Sequence, residues 1–267
     1  MIRCGERLEV IALPGVPRVE RGDDLAAIAK SALDRARLAL DDGDVIVVTS
    51  KVVSRAEWRF VDLSRVEPSE RARSLARDVE KDARLVELIL RESTHVSRKA
   101  KHVLIVRHRL GFVAAHAGID ASNAVPGDAP PGSGPWVLLL PEDPDASARG
   151  MKGALEAAAA SGERRARIGV VISDSFGRPF RLGTVGAAIG CAGLPPAWDR
   201  RGDRDLHGRP LEITVTALAD QVAACADLVA GQADEGRAIV VVRGLSFPAS
   251  DAPASALCRP PEEDLYA

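Results

Sequence analysis

The stretch that most restricts what this chain can become runs over residues 170–190, VVISDSFGRPFRLGTVGAAIG. A β-branched run over 168–172 stops at Ser173-Asp174-Ser175, and a loop rich in glycine and arginine follows. A buried strand that ends on a carboxylate and a hydroxyl brings hard oxygen ligands to a sheet edge, where a cation can sit. Gly177, Gly183, Gly186 and Gly190 allow backbone to approach a ligand closely. Arg178 and Arg181 supply planar cationic forks suited to phosphate or carboxylate. The pattern points to metal-assisted chemistry on an anion. The same Asp-Ser after a strand also reads as a helix cap or the start of a turn.

At 267 residues the chain can bury a substantial core, as one large domain or two small ones. Hydrophobic and charged shares of 46% and 28% are those of a soluble globular protein. Only 3% of residues are Phe, Trp or Tyr, too few for a platform that stacks single-stranded bases. A formal net charge of −2 argues against a polyanionic partner, so no nucleic acid is expected. Cys4, Cys191, Cys225 and Cys258 form no CxxC pair, which implies neither a zinc site nor a disulfide framework. Free thiols suit a reducing compartment. The opening MIRCGERLEV is too charged for a signal peptide, and no apolar run approaches 18 residues. A cytoplasmic protein with no membrane partner is expected.

Residues 8–13 read as a short strand that breaks at Leu13-Pro14-Gly15-Val16-Pro17. Gly22-Asp23-Asp24 caps a helix with Leu25, Ile28, Ala29, Ala32, Leu33, Ala36 and Leu40 on one face. Asp42-Gly43-Asp44 then starts a strand over 45–49, and the alternation reads as α/β or α+β. Ser50 and Lys51 follow this strand at its carboxyl end, where ligands gather in such sheets, and Arg55 adds a second cation. A solvated strand end followed by a surface Arg–Glu pair is the plainer alternative.

A single charged helix is predicted over 69–92. His95, His102 and His108 lie among Arg and Lys, poor company for neutral metal ligands. Strands over 103–107 and 111–115 make a hairpin through 108–110. After it, Gly118-Ile119-Asp120-Ala121-Ser122-Asn123 reads as an oxygen-rich ligand set or an Asx-turn. A strand over 136–140 and a helix over 143–160 lead back to the strand ending at Asp174.

The segment 197–210, AWDRRGDRDLHGRP, is a polar loop. Its Asp199, Arg200, Arg201, Asp203 and His207 meet a substrate, a second subunit or only solvent. A strand over 212–216, a helix over 217–230, a turn over 231–236 and a strand over 238–243 complete the pattern. The Pro-rich residues 250–267 read as loosely held. No GxxxxGK[ST], no helix-opening GxGxxG, no HExxH and no GxSxG occurs, so a nucleotide site here is neither Walker-type nor Rossmann-type.

Four stretches together resemble one family, the coenzyme F-420-precursor:L-glutamate ligases, or gamma-glutamyl ligases. They are VVTSKVVSRAE (47–57), AGIDASN (117–123), SDSFGRPFRLGTVGAAIGCAG (173–193) with DRRGDRDLHGRPL (199–211), and DLVAGQADEG (227–236) before VVVRG. The likeness spans residues 8–245. It implies a family-specific mixed α/β (α+β) fold, not P-loop or Rossmann, that forms homodimers. A ligase domain would cover 1–249, with a possible subdomain around 175–215, a tail over 250–267 and no fused nitroreductase domain. The implied reaction uses GTP to join L-glutamate to the deazaflavin precursor through an acyl phosphate, releasing GDP and phosphate. Further glutamates are then added by γ-linkage. Two divalent ions, Mn or Mg, and K+ are the implied cofactors.

Carried over position by position, the resemblance gives Asp120 and Asp174 one divalent ion, and Ser175 and Gln232 a second. Leu13, Pro14, Gly15, Val16, Ser50, Lys51, Arg55 and Asn123 match guanine-nucleotide contacts. So do Ala230, Gly231, Gln232, Ala233, Asp234, Glu235, Gly236 and Arg237. Asp120, Asp174, Lys51 and Arg178 are the expected catalytic groups, and Arg178, Arg181 or Arg201 is expected to anchor a substrate carboxylate or phosphodiester. Two residues depart from the family pattern, Arg55 in place of Lys and His116 in place of Asn. They leave room for a ligase acting on another amino acid or acceptor. A GTP- or cofactor-binding module without catalysis is the third reading.

Overall fold

The computed structural model describes residues 7–122, 124–160, 166–233 and 235–264. Its first half contains β1 (Glu9–Ala12), α1 (Leu25–Ala36), β2 (Val45–Thr49), α2 (Ser50–Ala56), β3 (Phe60–Asp62), α3 (Glu70–Val79) and α4 (Ala83–Arg91). Then come β4 (Ser93–Ala100), β5 (Val103–His108), β6 (Val113–Ala115), β7 (Trp136–Leu138) and α5 (Pro144–Ala159). The last part holds β8 (Gly169–Arg178), β9 (Arg181–Ala192), β10 (Trp198–Asp199), β11 (Val215–Thr216), α6 (Leu218–Ala230) and β12 (Ile239–Arg243).

The central sheet runs β1-β12-β2-β8-β9. Only β2 and β8 are parallel neighbours, paired from Val45↔Gly169 to Thr49↔Ser173. Both faces of this sheet are covered, which is why its strands are apolar at successive positions. Ile46, Val48, Val170, Ile172, Ile239 and Val241 pack with α1 and α5 on one face. Val45, Val47, Val171, Val240 and Val242 pack with α6 on the other. Each such buried side chain contributes about 1.5–3 kcal/mol. The start of α1 is held by Asp24, whose carboxylate accepts from the Ala26 and Ala27 amides.

The expected 69–92 helix is two helices. Glu80 adopts a left-handed conformation that ends α3, and Asp82 caps α4 by accepting from the Arg84 amide. The antiparallel sheet β4-β5-β6 packs on this pair through Ala72, Val79, Val86, Ile89, Leu104 and Val106. Strand β4 is polar and interrupted by two register shifts, so it lacks the alternation that marks a strand in sequence. A polar joint ties this sheet to the rest. Glu92, at the end of α4, accepts from Arg59 Nη2 at 3.2 Å and from Arg109 Nε at 3.0 Å. Buried His108 faces the same carboxylate at 3.5 Å.

Two further expectations change. The presumed loop after Ser173-Asp174-Ser175 is a long hairpin, β8 to β9, with Arg178 opposite Arg181 near its tip. Gly186 and Gly190 serve helix packing rather than ligand approach. A Cβ on Gly186 would lie 2.5 Å from the Ala223 carbonyl of α6, and one on Gly190 would lie 2.4 Å from Pro144 of α5. The C-terminal residues are held as far as they are described, with Ala254 buried and Asp264 paired to Arg107 at 3.2 Å.

Candidate functional site

Parallel strands with a crossover leave a crevice at their carboxyl ends, because the chain departs in different directions there. At this end of β2 and β8 lies a cleft of about 980 Å³. Strand β2 delivers Ser50 and Lys51 to it, and β8 delivers Ser173, Asp174 and Ser175. The register changes between Ile172 and Ser173, so Ile189 is the extra residue on β9 where the polar triplet begins. Asp120 enters from the segment after β6, with its backbone fixed by two hydrogen bonds to Leu138 of β7, of 2.9 and 2.8 Å.

Lys51 Nζ lies 2.7 Å from Asp120 Oδ2 and 3.3 Å from Ser122 Oγ. The other oxygen of Asp120 accepts from the Ser122 amide at 2.6 Å and from its hydroxyl at 2.7 Å. Burial alone would raise the Asp120 carboxyl, but Lys51 and Ser122 outweigh it and hold it below the usual range. Asp174 is the reverse case. Burial pushes it up to about 6 and the Asp120 charge adds to this, while the Ser50 hydroxyl at 2.8 Å, the Ser175 amide and Lys51 oppose. The two carboxylates thus repel each other across one cleft.

Ser175 Oγ donates to Gln232 Oε1 at 3.0 Å, and Gln232 Nε2 donates to Asp227 on α6. Asp227, which opens the 227–236 stretch but has no role in the sequence reading, lies one helical turn before Ala230 and lines the cleft with it. That spacing ahead of Ala230-Gly231-Gln232 is the signal that could have found it. Ala230, Gly231, Gln232, Ala233, Glu235, Gly236 and Arg237 all line the cleft. Asn123 and Asp234 lie outside the described residues.

The remaining expected nucleotide contacts divide. Val16 lines the cleft, whereas Leu13 is buried in the core and outside the lining, with its amide donating to the Ile239 carbonyl at 2.9 Å. Pro14 and Gly15 are not part of the lining, and Gly15 accepts from Arg35 at 2.7 Å. Arg55 is buried at the cleft wall. Its Nε donates to the Val19 carbonyl at 2.7 Å and its Nη2 meets Glu20 at 3.1 Å. Arg178, Arg181 and Arg201 do not line the cleft, and Arg201 pairs locally with Asp199 at 2.6 Å. His116 stands just before Gly118 of the lining, in a left-handed conformation.

Among the described residues no group of three or more His, Cys, Asp or Glu is placed to hold a metal ion. The oxygen donors that line the cleft include the Asp120 and Asp174 carboxylates, Ser175 and Gln232, with Asp227 hydrogen-bonded to Gln232. They suit a hard divalent cation that takes few protein ligands and completes its shell with phosphate and water. The residues therefore fit a divalent cation brought together with a phosphorylated ligand. Among the described residues no helix is long and apolar enough to cross a membrane.

Fold and cleft define a mixed α/β protein in which two carboxylates, Asp120 and Asp174, and the ammonium of Lys51 meet in a cleft at the carboxyl ends of β2 and β8. The family model of F420-0:gamma-glutamyl ligase matches residues 15–244. The coenzyme F420:L-glutamate ligase of Methanothermobacter thermautotrophicus is 43% identical, over 97% of this chain and 98% of the relative. That of Methanopyrus kandleri is 44% identical over 97% of each chain, and that of Methanocaldococcus jannaschii 37% over 100% and 99%. This chain belongs to the F420-0:gamma-glutamyl ligase family.

Proposed function

We propose that the protein is a cytoplasmic, GTP-dependent ligase that joins L-glutamate to the deazaflavin precursor of coenzyme F420. The observation that carries the reading is the convergence of Lys51, Asp120 and Asp174 at the carboxyl ends of β2 and β8 in a chain of this family. The cleft, at about 980 Å³, is at the large end of ligand pockets, roughly 300–1,000 Å³. It has room for more than one small ligand.

A carboxylate is a poor electrophile, so forming an amide from it needs activation. Transfer of the γ-phosphoryl group of GTP to the precursor carboxylate gives an acyl phosphate and GDP. The glutamate amine then attacks that carbonyl, loses a proton and expels phosphate. Lys51 offsets charge on the phosphates as the leaving oxygen develops. Ser122 holds Asp120, and Ser50 holds Asp174, in fixed orientations toward the cleft. Asp120 and Asp174 would hold one divalent cation, Mn or Mg, and Ser175 with Gln232 a second. Such cations neutralise phosphate charge and align the reacting groups. Holding both substrates together supplies much of the rate. A K+ requirement is part of the proposal, with no residue assigned to it.

We also propose a homodimer. Phe180 and Leu182 at the β8–β9 turn are 90% and 99% exposed, and apolar groups of this size on a protruding hairpin mark an interaction surface. The substrate-anchoring role of Arg178 depends on that assembly, since the single chain keeps it out of the cleft. A turnover assay with precursor, L-glutamate, GTP and manganese, read by mass, tests the central claim. Increments of one glutamyl residue, lost in Asp120→Ala and Asp174→Ala, are expected. GTP binding by folded protein without any increment would point to another acceptor or to a non-catalytic binder.

A further inference from the structure

Asp120 has one carboxylate oxygen to offer a cation. Ser122 takes Oδ1 twice, through its amide at 2.6 Å and its hydroxyl at 2.7 Å, while Oδ2 carries the Lys51 ammonium at 2.7 Å. The backbone hydrogen bonds to Leu138 fix the main chain at Asp120, and the two Ser122 donors on Oδ1 hold the carboxylate in this orientation. A divalent ion on Asp120 must therefore compete with Lys51 for Oδ2, and two cations cannot share that oxygen at contact distance without strong repulsion. Lys51 is free to leave. Its side chain is 39% exposed, it sits on a flexible four-carbon stem, and the open cleft lies beside it.

We propose that Lys51 is a displaceable counter-ion that makes divalent-cation binding at Asp120 conditional on a polyphosphate ligand. This rests on the reading of Asp120 as a metal ligand and of the cleft as a nucleotide site. A polyphosphate, with more charge than one carboxylate, draws the ammonium away. Asp120 then faces Asp174 without compensation, and a cation is bound strongly. Cation and polyphosphate thus bind with positive coupling, and Lys51 carries it.

The test measures Mn2+ binding to the full chain by the electron paramagnetic resonance of free Mn2+, with and without a non-hydrolysable GTP analogue. Without the analogue, Lys51→Met is expected to bind Mn2+ about tenfold more tightly than wild type, within the usual range of coupling factors. With the analogue, wild type gains affinity strongly and Lys51→Met gains much less. Lys51→Gln, which keeps a polar side chain without the charge, follows Lys51→Met if charge is the cause. Thermal unfolding of each variant confirms that it is folded. Equal or weaker Mn2+ binding in both variants, with Asp120→Asn still reducing it, overturns this inference alone. Binding that Asp120→Asn leaves unchanged overturns the metal-site reading as well.

Discussion

Glu92 and Asp174 are both carboxylates shielded from water where the small sheet or the cleft meets the main body, yet they are treated in opposite ways. Burial would raise Glu92, but His108, Arg109 and Arg59 surround it and bring it down to about 2. Asp174 has only hydroxyl and amide donors, with Lys51 engaged on a rival carboxylate, and it rises to about 6. A carboxylate fully matched by guanidinium groups locks elements together. One left undercompensated stores a demand for positive charge that a ligand can meet. The difference separates a carboxylate whose charge is matched within the fold from one whose charge is not.

The largest effect expected from breaking this comparison is at the structural site. Glu92→Ala leaves Arg59 and Arg109 without their shared partner and should cost about 3–5 kcal/mol, read from urea unfolding. Asp174→Asn should instead leave stability unchanged or raised, because an amide is not charged. Ligation should fall by at least about a hundredfold. A loss of stability at Asp174 as large as that at Glu92 would erase the distinction.

The pH dependence sharpens it. Glu92 has a folded value near 2 against an ordinary 4.5, so its contribution is present above pH 4.5 and lost as pH falls toward about 2. Asp174 has the opposite sign. Its contribution is fully present below 3.8 and is lost as pH rises through about 6. In chelator, Glu92→Gln should flatten the acid limb of the stability profile, and Asp174→Asn should remove the decline between 3.8 and about 6. The smallest effect is at Ser50→Ala, which removes the hydroxyl donor to Asp174 and should cost about 1 kcal/mol in unfolding experiments at neutral pH.

Much of this was legible in the chain because local rules apply there. The apolar strands β2, β8 and β12 stand out because both faces of the sheet are buried. Helix α1 was visible from its Asp24 cap and helical period, and the turn after α6 from its glycines. What failed did so for a nonlocal reason. The break at Glu80–Asp82 was hidden by an unbroken run of helix-compatible charges, and β4 by polar residues that the small sheet tolerates on its exposed side. Nothing in the neighbourhood of Arg55 shows that Val19 and Glu20 fold back onto it at the cleft wall.

The sequence by itself determined the central strands, the main helices, the family and the short list of polar residues from which a site could be made. Those follow from periodicity, capping and residue chemistry, which act over a few neighbouring positions. Only the tertiary structure decided that Ser50 meets Asp174 across 124 residues of chain, and that Lys51 rests on Asp120. It also decided that Gly186 and Gly190 make room for helices rather than for a ligand. The physical reason is the same in each case. Charge compensation and close packing depend on which distant segments share a volume, and sheet pairing and core burial set that for the whole chain at once.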